Sequence, residues 1–203
     1  MTSEKPSESI RNERDIANIL TSKWNIGGSG DCYFGVNRIS KDLKVSPDID
    51  LLRVYVNQWQ PQENRAIGFE LKVLKPRRYR DENWRIGLDP LYQGLGQVLT
   101  YFEHGIDKAA LILGFHNDCK LHPNEVKEPE ELLKKHCVFL RETVFANFPY
   151  LQIYSLRNGS LETLLFHPNW EKACFHHESD DVKLRRDSIF KGQFVFDKTW
   201  RTS

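Results

Sequence analysis

The chain predicts an α/β domain with a central mixed β-sheet flanked by helices, in the order αβββαβ. Three observations carry that expectation. Apolar residues recur at helical spacing over 8–22 and 89–104. Three runs at 31–39, 48–57 and 65–74 lie between those helices and read as strands. A further apolar run, Lys108–Phe115, follows the second helix.

Taken in order, residues 1–8 are polar and read as a frayed end. In the first helix Ile10, Glu13, Ala17 and Leu20 share a face, which sets one acid among apolar neighbours. Gly27-Gly28-Ser29-Gly30 reads as a turn, since it lacks the Gly-Lys-Ser/Thr ending of a phosphate loop. In the second strand, alternation puts Asp48 and Asp50 on a common face. In the third, Glu70 and Lys72 point one way and Phe69, Leu71 and Val73 the other. The polar, Pro-containing stretch Gln58–Asn64 suits a hairpin connection. On the 89–104 helix Leu91, Leu95, Val98 and Phe102 face a core, while Gln93, Gln97 and Tyr101 form a polar stripe.

Beyond residue 116 the signals weaken. A helix is expected from near Pro129, with Leu133, Cys137, Leu140, Val144 and Phe148 along one face. Tyr150–Leu156 reads as a strand, with fainter strand signals at 161–166 and 190–196. No repeat or low-complexity linker appears, so 9–203 reads as a single domain with a core at 9–116 and a C-terminal elaboration at 117–203.

Composition narrows the classes. Twenty-nine Lys and Arg against 28 Asp and Glu leave a net charge of +1, so any affinity for a polyanion must come from local patches. With neither a run of membrane-span length nor a signal peptide, the expectation is a soluble, cytoplasmic protein without membrane partners. Cys32, Cys119, Cys137 and Cys174 are scattered and expected as free thiols. They are not grouped as iron–sulfur ligands, and no such cluster is expected. His116-x-x-Cys119-x-x-His122 and Cys174-x-His176-His177 lack two clean ligand pairs at a familiar zinc spacing.

The informative chemistry lies in strands two and three. Acids and lysines are rarely buried unless paired or metal-bound. Pro47-Asp48-x-Asp50 opening the run Leu51–Val56, then Glu70-x-Lys72 inside the run Ala66–Leu74, would bring two acids and a cation to one spot. This pattern resembles the PD-(D/E)xK nuclease superfamily, and Gln97-x-x-x-Tyr101 is similar to the Gln-x-x-x-Tyr element of its RecB-like branch. Glu13 matches the glutamate that many members carry on the helix before the catalytic strands.

The resemblance spans roughly residues 8–115 and implies a restriction-endonuclease-like core. It also implies an Mg²⁺- or Mn²⁺-dependent deoxyribonuclease leaving 5′-phosphate ends. Asp50, Glu70 and the Leu71 carbonyl would hold the metal, with Glu13 completing an outer ligand shell or binding a second ion. Lys72 would position water or screen charge, and Gln97 and Tyr101 would orient a phosphate or Lys72. Asp48, directly after the proline, competes with Asp50 for the metal role. Asp50 is preferred because it lies deeper in the apolar run.

The substrate side shows one dense feature, Lys75-Pro76-Arg77-Arg78-Tyr79-Arg80-Asp81-Glu82-Asn83-Trp84-Arg85. Its Lys75, Arg77, Arg78, Arg80 and Arg85 can neutralise phosphates, and its aromatics can stack on bases. Lys183-Leu184-Arg185-Arg186 could extend the track. DNA is the expected partner with RNA left open, as is a homodimer. Plainer accounts stand beside these. Asp48 and Asp50 could form a strand-entry turn, Glu70 and Lys72 an edge-strand pair, and Gln97 and Tyr101 a solvated helix face. Glu13 could serve only the helix dipole, and 75–85 could be a solvated loop. A non-cleaving nucleic-acid-binding protein or scaffold subunit that keeps the fold is the rival function.

Overall fold

The computed structural model describes residues 9–23, 30–39, 43–78, 84–120 and 123–197. Helix α1 (Glu13–Lys23) starts later than the 8–22 periodicity predicts. A reciprocal cap is the cause. Asp15 Oδ2 accepts from the Arg11 and Asn12 amides, while Asn12 Oδ1 accepts from the Asp15 amide at 3.1 Å. Those bonds satisfy first-turn donors at residue 12 and leave Ile10 outside the helix. Ile10 is instead tied through its own amide and carbonyl to Asn117.

Strands β1 (Asp31–Ile39), β2 (Leu43–Tyr55) and β3 (Arg65–Leu74) form an antiparallel meander. A two-stranded ribbon, β4 (Pro76–Arg78) with β5 (Trp84–Ile86), leads into α2 (Asp89–Tyr101) and a short 3₁₀ turn at Phe102–His104. Then come β6 (Lys108–Phe115), α3 (Pro123–Glu142), β7 (Leu151–Arg157), β8 (Ser160–Leu165), α4 (Asp180–Phe190) and β9 (Phe194–Phe196). The main sheet runs β8-β7-β6-β3-β2-β1-β9; β6 is parallel to β3 and β7, and the sheet's other pairings are antiparallel. All eight residues of β6 are buried, as a strand covered on both faces requires.

The sheet separates two apolar layers. On one face Ile16, Ala17, Ile19 and Leu20 of α1 pack on Phe34, Leu51, Phe69, Leu71, Ala110 and Ile112. On the other, Leu91, Leu95 and Val98 of α2 and Leu133 and Cys137 of α3 pack on Leu52, Leu111, Leu113 and Ile153. None of the described helices is long and apolar enough to cross a membrane.

Three expectations change in the C-terminal third. Helix α3 begins at Pro123 rather than near Pro129 and ends at Glu142, before Val144 can follow its face. Val144 is therefore exposed, and Phe145 takes its place in the core. Helix α4 has no amphipathic stripe to announce it; its single buried residue is Ile189. Its segment crosses from β8 at one sheet edge to β9 at the other, beneath the starts of β3 and β6. Residues 1–8, Gly27 to Ser29, Tyr79, Arg80 and His122 lie outside the described residues.

Candidate functional site

The β2–β3 ladder runs from Tyr55↔Arg65 to Leu51↔Phe69. Beyond that pair Asp50 provides a side chain in place of a backbone partner: the Leu71 amide donates to Asp50 Oδ2 at 2.8 Å. In an extended strand a residue's N–H and C=O point to the same side, so the Leu71 carbonyl shares that edge. The facing of β2 also changes here. Ile49 and Leu52 belong to the α2 layer and Leu51 to the α1 layer, so strict alternation breaks at Asp50. Asp48 consequently does not accompany Asp50. Its side chain is exposed, and only its carbonyl reaches the site, accepting from the Tyr101 hydroxyl at 3.3 Å.

Glu70 is 1% exposed and faces α2. Lys72 Nζ donates to its Oε1 at 2.5 Å, and the Tyr101 hydroxyl donates to its Oε2. Burial and the neighbouring Glu70 charge push the Asp50 carboxyl up to about 8, against the Leu71 amide and Lys72. Burial also raises Glu70, while the Lys72 and Tyr101 hydrogen bonds oppose the shift. The charge of Glu13, half-buried on the first turn of α1, raises both acids. Asp50, Glu70, Lys72 and Tyr101 are thus brought together with Glu13 in electrostatic reach.

Two glycines let α2 come this close. A Cβ at Gly94 would run into Leu111 Cδ1 and stand 3.3 Å from Lys72 Cγ. One at Gly68 would stand 2.7 Å from Tyr101 Cδ2. Small residues at these points let helix and strand meet with the phenol against Glu70.

The other expected residues sort by position. Tyr101 has no exposed surface, so in this geometry its hydroxyl serves the acids and is closed to an outside nucleic acid. Gln97, half-exposed one turn earlier, makes no side-chain hydrogen bond among the described residues. Lys75, Arg77, Arg78 and Arg85 are exposed on or beside the β4–β5 ribbon, where Arg77 pairs with Arg85 in register. Arg80, between the two ribbon strands, lies outside the described residues.

The 183–186 run does not extend this track. Arg186 donates to Asp107 Oδ1 at 2.6 Å and to the Asn64 carbonyl, and Arg185 to the Glu103 carbonyl at 2.8 Å. Both hold α4 against the start of the parallel strands, at the opposite sheet end from the ribbon. Asp107, fully buried, needs those partners: it also accepts from the Ala66 amide at 2.9 Å and from the Cys174 thiol. Burial raises its carboxyl, but nearby His177, 3.8 Å away, and the Arg186 hydrogen bond outweigh that and hold it below the usual range.

Among the described residues, no group of three His, Cys, Asp or Glu side chains stands in metal-holding arrangement. The chemistry of the donor set nevertheless fits a hard cation. Buried Glu70 and part-buried Asp50, both raised, and a main-chain carbonyl on the same edge present negative charge that a divalent ion would balance.

Sequence reasoning missed Gly35, Gly68, Gly94 and Asp107. A glycine inside a strand pattern, as at Gly35 and Gly68, signals a bulge or a close approach, and Gly94 inside a helical pattern signals close packing. Asp107 between Ile106 and Lys108 gave none. No protein-family model and no curated protein sequence matches this chain.

Proposed function

We propose that the protein is a divalent-cation-dependent nuclease of the PD-(D/E)xK type that hydrolyses phosphodiester bonds in DNA. On this reading the core from α1 to β6 has a restriction-endonuclease-like fold. The observation that carries the proposal is Asp50 on the Leu71 amide beside buried Glu70, with Lys72 on the same strand face. A binding module has no need of adjacent buried acids next to phosphate, since they repel it and cost desolvation.

Asp50, Glu70 and the Leu71 carbonyl would hold the cation, with Glu13 adding negative charge behind them. Mg²⁺ or Mn²⁺, when bound, supplies Lewis-acid stabilisation and a water of lowered pKa. Lys72, 17% exposed at its side chain, is the cation that can reach from Glu70 toward an incoming phosphate or water. Tyr101 fixes the Glu70 carboxylate from behind. Lys75, Arg77, Arg78 and Arg85 would hold the backbone of the substrate, and hydrolysis would leave a 5′-phosphate.

A second reading, a non-cleaving nucleic-acid-binding or scaffold protein, draws support from the state of Glu70, whose two oxygens are both engaged within the chain. Cleavage assays separate the two. Linear duplex, single-stranded and circular DNA are incubated with Mg²⁺, Mn²⁺ or EDTA, with wild type and Lys72→Ala. Metal-dependent cutting lost in the variant supports the nuclease. Equal binding by both proteins in EDTA with no cutting of any substrate transfers the reading to the binding protein.

A further inference from the structure

Outside the acid cluster, a groove with a mixed aromatic and cationic lining is formed by described residues. It lies between α2 and α3 and is formed by Tyr92, Leu132, Lys135, His136, Phe139 and Leu140. Its volume, about 320 Å³, is at the low end for a small-molecule pocket, and it is open to solvent along its length. Phe139 is 60% exposed, Tyr92 50% and Leu132 43%. The core face of α3, Leu133, Cys137 and Leu140, is already satisfied, so Leu132 and Phe139 are a second apolar row seven residues apart. Folding does not require that row.

Tyr92 is held in place. Its hydroxyl bonds His136 Nδ1 at 2.8 Å, and the two rings meet edge to face at 85°. A rigid aromatic surface with a free flank loses little entropy on stacking. The groove lining contains Lys135 and His136 and, among the described residues, no carboxylate. It also continues the basic ribbon: β5 packs on α3, and Tyr92 stands six residues after Ile86, the last residue of β5.

We propose that this groove binds the bases of a single nucleic-acid strand whose phosphates run along Lys75, Arg77, Arg78 and Arg85. The inference rests on the nuclease reading for its direction and adds the substrate class: unpaired strand, as in single-stranded DNA, RNA or a frayed duplex end. Exposed aromatics beside cations suit unstacked bases, each of which presents a π-face. A closed duplex keeps those faces stacked and can use only the ribbon.

Anisotropy of a labelled oligodeoxythymidine, the matching RNA and a duplex, all measured in EDTA, tests this without cleavage. Wild type should favour the single strand, and the DNA and RNA arms rank the two sources. Phe139→Ala should weaken single-strand binding by about 5- to 100-fold, the loss of one stacked base, and leave duplex binding unchanged. Phe139→Trp should retain binding. Val144→Ser, at an exposed apolar position beyond the end of α3, should bind as wild type.

Equal single-strand affinity of wild type and Phe139→Ala overturns the proposal, as does a wild-type preference for duplex. A wild-type dimer in sedimentation that Phe139→Ala dissociates also overturns it, assigning the groove to a second copy of the chain. The two readings fail separately. Lys72-dependent cleavage with an unaffected Phe139→Ala leaves the nuclease and removes the groove. Groove-dependent binding with no cleavage does the reverse.

Discussion

Gly35 stands across the β1–β2 ladder from Asp50. Phe34 pairs with Leu51 and Val36 with Ile49, which places the two between them in register. Gly35 has φ 55°, the left-handed region, and both strands change facing there: Phe34 and Leu51 lie in the α1 layer, Val36 and Ile49 in the α2 layer. The sheet turns over at the position where Asp50 leaves the ladder for the Leu71 amide.

Gly35→Ala must either hold a strained backbone or flatten the strand. We expect a loss of about 1–2 kcal/mol from the left-handed conformation, read as a lower urea midpoint with unchanged slope. If Asp50 is carried along, cleavage should fall further than stability does. Wild-type stability for Gly35→Ala would remove the glycine from the argument.

Asp50 makes stability depend on pH in a defined direction. Burial pushes its folded carboxyl up to about 8 from an ordinary 3.8, so its protonated form is favoured by folding. That contribution is complete below about 4 and is lost as pH rises through about 8. Wild type in EDTA should therefore lose stability across this window. Asp50→Asn, which cannot ionise, should match it in acid and exceed it above pH 8. Mn²⁺ at pH 8 should raise the melting temperature of wild type and leave that of Asp50→Asn unchanged. Parallel pH–stability curves for the two proteins would contradict the assignment.

Tyr101→Phe removes one hydrogen bond from a carboxylate that is almost wholly buried. We expect a cost of about 1–3 kcal/mol. Because the phenol favours the charged form of Glu70, the variant's carboxyl should titrate higher still. The stability gap should therefore widen as pH rises through the titration of Glu70. Chemical denaturation at several pH values measures it.

Asp107→Asn tests how the C-terminal segment is held. The carboxylate joins the amide of Ala66, Arg186 of α4 and Cys174 in the preceding loop. Breaking a buried ion pair of this kind costs roughly 3–5 kcal/mol. Asp107 is held below 3.8, so its contribution is present above that pH and fades as pH falls through the folded value. The gap between wild type and variant should thus close in acid. Hydrogen exchange should show α4 losing protection ahead of β6.

The order α1, β1, β2, β3, α2, β6 was legible in the chain, without the short β4–β5 ribbon, because each carries its own period: apolar residues three and four apart in α1 and α2, short apolar runs bounded by Gly, Pro and Asn in β1 to β3. Glu70 and Lys72 stood out because charge inside an apolar strand needs a reason. Helix α4 was not legible; it buries one residue and is held by Arg185 and Arg186, whose partners lie some eighty residues away in sequence.

Local sequence thus determined the mixed α/β architecture, the strand carrying Glu70 and Lys72, and the basic character of 75–85, which it read as a loop and which the structure pairs as the β4–β5 ribbon. Tertiary structure alone decided that β2 changes facing at Asp50 and parts it from Asp48, that Tyr101 lies behind Glu70 instead of facing solvent, and that Arg185 and Arg186 serve Asp107 and the 3₁₀ turn. The reason is physical. Periodicity reports which face of its own element a residue occupies, whereas burial, hydrogen bonding and charge pairing depend on what the other elements bring to that face.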